Sequence, residues 1–307
     1  MISVAIATLD RAFALREISL PSLLRQEYAD FEVIVWDASE NDESEKVCEV
    51  MRGAFEVKGA ALRYFKAPRR GTASQRNDAV ATAEGDIIFF FDDDCEMSVD
   101  SLSALSACFA SFPLVPGAGI PLLNRNPESG NSRILGFATL LFGMKNNQLR
   151  RKINSYGGLS LPIKDLPGTA EWLSGGSMGF RRGVFEKLRL DERLETFDSY
   201  ALGEDYDFSH RVMLEYGEPL MVTNGGYVIH HSAPGKKLAG VEKIAAHFFN
   251  ASLIRMNFGR YGKRFGLVSR AWGAFGTILM LMYQGTSPLD IVKGVKMASR
   301  EIRKYRT

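Results

Sequence analysis

One apolar run that ends in consecutive aspartates constrains the fold of this chain more than any other feature. The apolar residues Ile87–Phe91 follow Gly85 and precede Asp92, Asp93 and Asp94. A short apolar run after a glycine predicts a buried strand. Carboxylates at the end of such a strand lie at the carboxyl edge of an open α/β sheet, where ligands bind. Because neighbouring anions repel one another, the cluster indicates a divalent cation with oxygen ligands, which can hold a diphosphate.

Strand and helix patterns alternate from the N-terminus to about residue 120. The predicted strands are Ser3–Ala7, Phe31–Trp36, Leu62–Phe65 and Asp86–Phe91, and the predicted helices between them are Phe13–Gln26, Glu43–Phe55 and Thr72–Thr82. This alternation predicts an α/β fold with a mainly parallel sheet and helices on both faces. Each strand–helix–strand unit should make a right-handed crossover.

The rhythm changes in the second half of the chain. Residues from Leu123 to Pro167 are rich in Asn, Gly, Pro and Ser, with one apolar piece at Ile134–Met144. A long segment of this kind predicts a functional loop or lid. Beyond Lys236 three helices are predicted, at 241–261, 265–283 and 288–303.

Composition excludes several classes of protein. The chain has 307 residues and a net charge of +2, which is too small to indicate a nucleic-acid partner. Its three cysteines lack CxxC or Cys/His spacing, so we expect reduced thiols in a cytoplasmic protein and no zinc site. The N-terminus lacks a basic segment and reaches Asp10 too early for a signal peptide. No Walker or GxGxxG motif is present.

A second acidic cluster lies at Gly203–Asp207, where Glu204, Asp205 and Asp207 occupy the first turn of a predicted helix. Carboxylates there are stabilised by the helix dipole, by roughly 0.3–1 kcal/mol each. Three acids in four residues exceed what capping requires. One of them could therefore be a general base, because a desolvated carboxylate close to others has a raised pKa.

Three weaker motifs complete the pattern. Residues 71–77 and 36–41 place polar side chains at a helix start and at a strand end, and local structure alone explains each of them. His230 and His231 end a β-branched run. Adjacent strand residues face opposite sides, so at most one of these histidines should reach a site. An imidazole suits manganese better than magnesium.

The order of these motifs resembles that of the family-2 glycosyltransferases, which have the GT-A nucleotide-sugar fold. The matching segments are Thr8–Arg11, Asp37–Ser39, Gly71–Asn77, Phe90–Asp94 (the family's DxD element), Trp172–Arg181 and Gly203–Asp207. Their joint order is specific, although most are weak individually. One departure concerns base recognition: Trp36 stands where the family usually has the first of two acids.

The resemblance implies roles for the matched residues. The implied nucleotide- and phosphate-binding residues are Thr8, Asp10, Arg11, Asp37, Arg76, Asp92 and Asp93. Asp94 would bind Mn²⁺ or Mg²⁺, and His230 or His231 would complete the metal shell. Asp205 would be the general base, with Glu204 beside it.

The implied activity is an inverting, metal-dependent transfer. The donor would be a nucleoside-diphosphate sugar, and the acceptor a hydroxyl of a saccharide or lipid-linked saccharide in polysaccharide biosynthesis. Two rival functions are a sugar nucleotidyltransferase and a non-catalytic nucleotide-sugar-binding protein. The first would need a Gly-rich basic loop after the first strand, which Thr8–Arg11 does not supply. The second would keep its ligand affinity without Asp205.

We expect a catalytic domain at 1–235, with a nucleotide-sugar half at 1–120 and an acceptor half at 121–235. A basic amphipathic helical region would follow at 236–307. This region has three open interpretations: a helical cap, an oligomer interface, or a platform on the anionic cytoplasmic face of the inner membrane. In the last of these, Trp272, Phe275, Leu279 and Met280 would face lipid. The apolar stretch 271–283 is too short to span a bilayer.

Overall fold

The computed structural model describes residues 1–124, 140–146, 150–162, 166–197, 200–231 and 238–305. In these ranges the strands are β1 (Ile2–Thr8), β2 (Phe31–Asp37), β3 (Ala61–Lys66), β4 (Ile87–Phe91), β5 (Cys95–Met97), β6 (Gly117–Gly119), β7 (Leu122–Asn124), β8 (Lys145–Asn146), β9 (Lys152–Ile153), β10 (Leu159–Pro162), β11 (Gly168–Ala170), β12 (Ser177–Arg181), β13 (Glu195–Thr196), β14 (Tyr200–Ala201), β15 (Leu220–Val222) and β16 (Val228–His230).

The helices in the same ranges are α1 (12–24, with a π-helical turn at Leu15–Ser19), α2 (Glu43–Lys58), α3 (Thr72–Thr82), α4 (Ser101–Ser111), α5 (Glu204–Tyr216), α6 (Gly240–Arg260), α7 (Leu267–Tyr283) and α8 (Pro288–Arg303). The predicted α/β alternation is confirmed, with small differences at the ends of the elements. The three predicted C-terminal helices are α6, α7 and α8.

The central sheet has eight strands in the order β11-β15-β6-β12-β4-β1-β2-β3. The four strands β4, β1, β2 and β3 are parallel, and β12 runs antiparallel to β4. The register of β1 with β2 sets Thr8 opposite Asp37, so both residues lie at the carboxyl edge. The aspartates after β4 lie at the same edge, as the apolar run predicted.

Alternation along β4 explains why the sheet is covered on both faces. Phe89 and Phe91 join a core with α1, α2 and α4, whereas Ile88 and Phe90 join a second core with α3 and α5. Successive strand residues point to opposite faces, so an all-apolar strand must be buried on both sides. Each fully buried phenylalanine contributes about 1.5–3 kcal/mol of hydrophobic stabilisation.

A second, smaller sheet follows the aspartates directly. In it β5 pairs antiparallel with β16, and the register sets Cys95 opposite His230. On its other side β16 pairs in parallel with β7. This sheet therefore carries a histidine from late in the chain to the aspartates after β4.

The segment between Leu123 and Pro167 is not wholly the loop that its composition predicted. Its described parts form a three-stranded sheet of order β8-β10-β9. Side-chain amides stabilise this sheet, because Asn146 donates to the carbonyl oxygen of Ser160 and Asn154 to that of Leu159, both at 3.1 Å. Most of the apolar piece Ile134–Met144 lies outside the described residues.

The C-terminal helices pack against the α/β part of the chain. A third core joins Phe249, Leu253 and Phe258 of α6 to Trp172 and to residues of α8. Asn250 and Asn257 of α6, each 2% exposed, donate hydrogen bonds to residues near the start of α5. Among the described helices, none combines the length and the apolar character needed to cross a bilayer. The domain boundary at residue 235 stays a prediction.

Candidate active site

The aspartates after β4 are held by the loop that follows β1. Thr8 Oγ1 donates to Asp93 Oδ2 at 2.6 Å, and Arg11 Nη1 contacts Asp93 at 3.0 Å and Asp94 at 3.2 Å. The strand ends at Phe91, and Asp93 and Asp94 lie in a turn. Their directions are therefore set by the turn and by Arg11, not by strand alternation. Burial raises the pKa of Asp93 to about 6, against the opposing effect of Arg11.

Four side chains meet here in an arrangement that fits a metal ion. One ligand atom each from Asp92, Asp94, Cys95 and His230 lie within 4.8 Å of one another. Two carboxylates and an imidazole are a donor set that suits Mn²⁺. Burial raises the pKa of the Cys95 thiol well above its ordinary value, and a protonated thiol is a poor ligand for a hard cation. Sequence reasoning missed Cys95, whose signal is its position directly after the aspartates.

The two adjacent histidines point to different partners. His230 Nε2 lies 3.2 Å from Asp94 Oδ1, and this contact raises the pKa of His230. His231 instead places Nε2 at 2.9 Å from Glu96 Oε2. His230 therefore belongs to the group that could hold a metal, whereas His231 lies against Glu96. A metal-binding role for either histidine stays a prediction.

Asp37 is buried at the end of β2, opposite Thr8 of β1. Its carboxylate is 0% exposed and accepts hydrogen bonds from Ser39 and, at 3.0 Å, from the Tyr64 hydroxyl. Ser39 Oγ in turn accepts from the backbone N–H of Asp10 at 2.7 Å. Asp10 has a φ of 55°, a left-handed conformation that this hydrogen bond supports. The carboxylate of Asp37 orients Ser39 in this way, and its predicted role in nucleotide binding stays a prediction.

Arg76 links the two acidic clusters. It is 3% exposed, and its guanidinium contacts Glu204 at 3.0 Å, Asp92 at 2.9 Å and the Gly175 carbonyl oxygen at 3.0 Å. It also lies over the Phe90 ring, 5.6 Å from the centroid. The structure pairs Arg76 with carboxylates of both clusters. Its contact with the nucleotide or its phosphates, which the family resemblance implies, stays a prediction.

The Gly-Gly pair before β12 lets these groups approach the backbone. A Cβ on Gly175 would lie 3.0 Å from Arg76 Nη2, and one on Gly176 would lie 2.8 Å from Asp92 Oδ2. Any larger residue would therefore push Arg76 or Asp92 out of the site. This is the physical reason for the small residues that the sequence shows there.

Asp205 sits at the first turn of α5 with both carboxylate oxygens oriented by backbone. Oδ2 accepts from the Gly175 N–H at 3.0 Å and Oδ1 from the Tyr206 N–H at 2.8 Å. Burial raises the pKa of Asp205. Burial, and then the neighbouring Asp205 charge, raise the pKa of Glu204 to about 7.

The third acid of this cluster has a structural environment. Asp207 is fully buried, accepts from Arg211 at 2.8 Å and from the Asn257 amide at 3.0 Å, and so ties α5 to α6. Those two hydrogen bonds account for an acid at a position that catalysis would not need.

A cavity of about 980 Å³ opens over both clusters. Its lining includes Thr8, Asp92 and Asp93 of the first cluster and Glu204 and Asp205 of the second. Residues of α6 and α7 complete the wall: His247, Phe248, Ala251, Arg255, Gly273, Ala274 and Thr277. Sequence reasoning missed the α6 residues, although 247, 251 and 255 recur at helical spacing.

Comparison with protein families decides the assignment. The sequence pattern of "Glycosyl transferase family 2" matches residues 3–189, which is more than half of the chain. The chain belongs to glycosyl transferase family 2. It is therefore a glycosyltransferase, and the resemblance noted from the motifs is confirmed. Among curated proteins, none matches the chain.

Solved structures agree on the fold of this family 2 glycosyltransferase. It is similar to S. aureus TarS 1-349 in complex with UDP-GlcNAc, with 16% identity, a TM-score of 0.56, and coverage of 83% of this chain and 66% of that one. It is also similar to GalNAc-T7 with UDP, GalNAc and Mn²⁺, with 16% identity and a TM-score of 0.57. That match covers 83% of this chain and 47% of the GalNAc-T7 chain.

A third similar structure covers nearly the whole chain. It is the mannosyltransferase PcManGT from Pyrobaculum calidifontis with GDP-Man and Mn²⁺, at 16% identity and a TM-score of 0.53, covering 98% of this chain and 84% of that one. At such identities the similarity establishes the GT-A fold alone. This chain spans less than two thirds of the TarS and GalNAc-T7 chains.

Proposed function

We propose that this glycosyltransferase moves a sugar, with inversion, from a nucleoside-diphosphate sugar to a hydroxyl of a saccharide or lipid-linked saccharide. One observation supports this above all. Arg76 contacts both Asp92 and Glu204, so the edge suited to a diphosphate and the oriented carboxylate of Asp205 border one cavity. A volume of about 980 Å³ falls within the range of small-molecule sites.

The donor would lie across the carboxyl edge of β1 and β4. Thr8 and Arg11 line the cavity there, and Asp10 lines it beside them. The guanidinium of Arg11 would bind the diphosphate, since a planar fork of donors matches phosphate oxygens. The UDP-GlcNAc and GDP-Man of the similar structures support a nucleotide donor in general.

A divalent cation, Mn²⁺ or Mg²⁺, would be held by Asp92, Asp94 and His230. When bound, it supplies positive charge that offsets the charge developing on the leaving diphosphate. Mn²⁺ in the similar structures supports a metal. The close approach of Gly176 to Asp92 keeps that carboxylate at the group.

Asp205 would remove the proton from the acceptor hydroxyl. Its two backbone hydrogen bonds fix the carboxylate in one orientation, and its raised pKa makes it a stronger base than an exposed aspartate. A single oriented base that activates a hydroxyl on the face opposite the leaving group gives inversion. Arg76, held by Glu204, would keep the positive charge of the site in place between base and donor.

We further propose that α7 rests on an anionic bilayer, which favours a lipid-linked acceptor and a role in cell-surface polysaccharide assembly. Five apolar side chains at helical spacing are each at least 40% exposed and form the apolar stripe: Val268, Trp272, Phe275, Leu279 and Met282. Met280, expected to face lipid, is half-buried and lies off the stripe. The exposed face of α8 adds Lys293, Lys296, Arg300 and Arg303, a charge that suits anionic lipid.

A thermal-shift panel of nucleoside-diphosphate sugars with Mn²⁺ identifies the donor and then allows the base to be tested. We expect Asp205→Asn to keep donor binding and to lower transfer by about 10²–10⁴-fold, the usual contribution of a positioned base. Asp94→Asn should instead weaken metal-dependent nucleotide binding. Full transfer by Asp205→Asn would exclude it as the base, and donor binding without any transfer in the wild type would favour a sensor.

A further inference from the structure

One cation in the cavity wall has no acidic partner among the residues that the structure describes. Arg255 of α6 is half-buried and lines the cavity wall. Its two hydrogen bonds are long and go to neutral oxygens, the Tyr156 carbonyl at 3.4 Å and Ser252 Oγ at 3.3 Å. Within the described ranges, no carboxylate lies within ion-pair distance of it.

This arrangement differs from those of the other cavity arginines. Arg11 is paired with Asp93 and Asp94, Arg70 with Glu40, and Arg76 with Asp92 and Glu204. Removing a guanidinium from water without a counter-charge is costly, and a buried charge in a folded protein is normally paired. The burial lowers the pKa of Arg255, and the nearby charge of Arg270 lowers it further. A ligand that carries an anion would supply the missing partner.

The surroundings leave room for such a ligand next to the base. Ala251 lies one helical turn before Arg255, and small residues of α7, Gly273 and Ala274, line the facing wall. His247 lies one further turn away on the same face of α6. Burial lowers the pKa of His247, so it is a neutral hydrogen-bond donor near pH 7.

We propose that Arg255 binds an anionic group of the acceptor, a phosphate or a carboxylate, while an acceptor hydroxyl reaches Asp205. Tyr206, the neighbour of Asp205, and Arg255 line the same cavity as the base. The acceptor class is thus an acidic saccharide or a phosphate-linked one. This inference rests on the proposed transfer function and specifies its acceptor.

The test uses full-length protein saturated with Mn²⁺ and the nucleoside diphosphate that gives the largest thermal shift, so that the donor edge is occupied. Two pairs of probes are then titrated calorimetrically: geranyl phosphate against geraniol, and methyl glucuronide against methyl glucoside. We expect at least one charged probe to bind about tenfold or more tightly than its neutral match, the size of one charge-assisted contact. The pair that responds identifies the source of the anion.

Variants assign the preference to this side chain. Arg255→Gln should abolish the preference for the charged probe and Arg255→Lys should retain part of it. Arg260→Gln, an exposed arginine of the same helix, is the matched control and should retain it fully. Nucleotide affinity, which depends on the carboxyl edge of β1 and β4, should be unchanged in all three variants and shows that they are folded.

Two results would overturn the inference: equal binding of charged and neutral probes by the wild type, or a preference that survives Arg255→Gln. Failure of the wild type to bind any nucleoside diphosphate is a different result. It would refute the proposed function itself and is read from the first titration, before an acceptor probe is added.

Discussion

Arg76 holds together groups that no strand or helix would bring into contact by itself. Its buried guanidinium donates to two carboxylates and one carbonyl oxygen, and each donor–acceptor distance is 3.0 Å or less. A lysine keeps the charge but lacks the planar fork, so it cannot satisfy all three acceptors. The acids that remain would then be buried with fewer partners, and each would be destabilised.

We predict that Arg76→Lys lowers transfer by at least about tenfold and lowers the free energy of unfolding by roughly 1–3 kcal/mol. Activity assays and urea unfolding measure the two effects. Arg69→Lys is the control, because Arg69 is half-exposed and its pair with Glu192 should be worth about 0–1 kcal/mol. Equal losses in both variants would show that the contacts of Arg76 have no special weight.

The pH dependence of transfer follows from the pair Glu204 and Asp205. Both carboxyls have a raised pKa, so protonation of the base on acidification begins at a higher pH than for an exposed aspartate. The acid limb of kcat/KM should therefore lie above the ordinary aspartate value of 3.8. Glu204→Gln should leave this limb nearly in place, because Glu204, with a pKa of about 7, is already neutral in the more acidic range where Asp205 takes up its proton. A limb at the ordinary aspartate value would contradict the assignment.

At the scale of elements, α6 is fixed to the catalytic half by polar side chains inside an apolar interface. Asn250 donates to the carbonyl oxygens of Leu194 and Leu202, at 3.0 and 2.9 Å. Asn257 donates to Asp207 at 3.0 Å. Because these groups are buried, sliding α6 would leave them without partners. The position of Arg255 relative to Asp205 is therefore determined by the interface.

His210 of α5 lies against α6 and gives this interface a pH dependence. Burial, and then the nearby Lys263, lower its pKa from 6.5 to about 4. The unfolded chain binds a proton at a higher pH than the folded one. The contribution to stability is thus complete above pH 6.5 and is lost as the pH falls to about 4.

We predict that protonation of His210 alone lowers the free energy of unfolding by on the order of 3 kcal/mol as the pH falls from 6.5 to about 4. Urea unfolding between pH 7 and 4 measures it. His210→Gln should be less stable at pH 7 but should show a shallower slope. An unchanged slope would mean that His210 titrates normally in the folded protein.

Sequence patterns were sufficient to predict the helices and strands, because hydrophobic periodicity and acids at strand ends are local signals. They also identified both acidic clusters. They could not give the burial of Asp37, the direction of His231 or the partners of Arg76, since each depends on residues brought from distant parts of the chain. The α6 residues Arg255 and His247 were missed for the same reason. Only the packing of α6 against the rest of the molecule determines that the face carrying them lines the cavity.

At the scale of the whole molecule, α7 separates two environments. Gly273, Ala274 and Thr277 line the cavity, whereas the apolar stripe occupies the opposite face of the helix. Apolar side chains in such a continuous exposed row mark a contact surface. The basic face of α8 favours an anionic bilayer as the contact.

We predict that the protein floats with vesicles that contain phosphatidylglycerol and binds neutral vesicles more weakly. Trp272→Ser with Phe275→Ser should reduce flotation at least about tenfold, since two large apolar side chains no longer enter the interface. Val50→Ser with Val57→Ser, exposed apolar residues of α2, is the matched control and should float normally. If the variant of the apolar stripe floats normally but has a lower molecular mass in solution than the wild type, the stripe is an oligomer interface instead.

The glycines of α7 couple its two sides. A Cβ on Gly273 would collide with the Tyr156 ring, and one on Gly276 with Phe142, so the helix is in close contact with the segment around the small sheet. Tyr156 also borders the cavity. A surface bound to the outer face of this helix is therefore separated from the pocket by a single layer of close-packed residues.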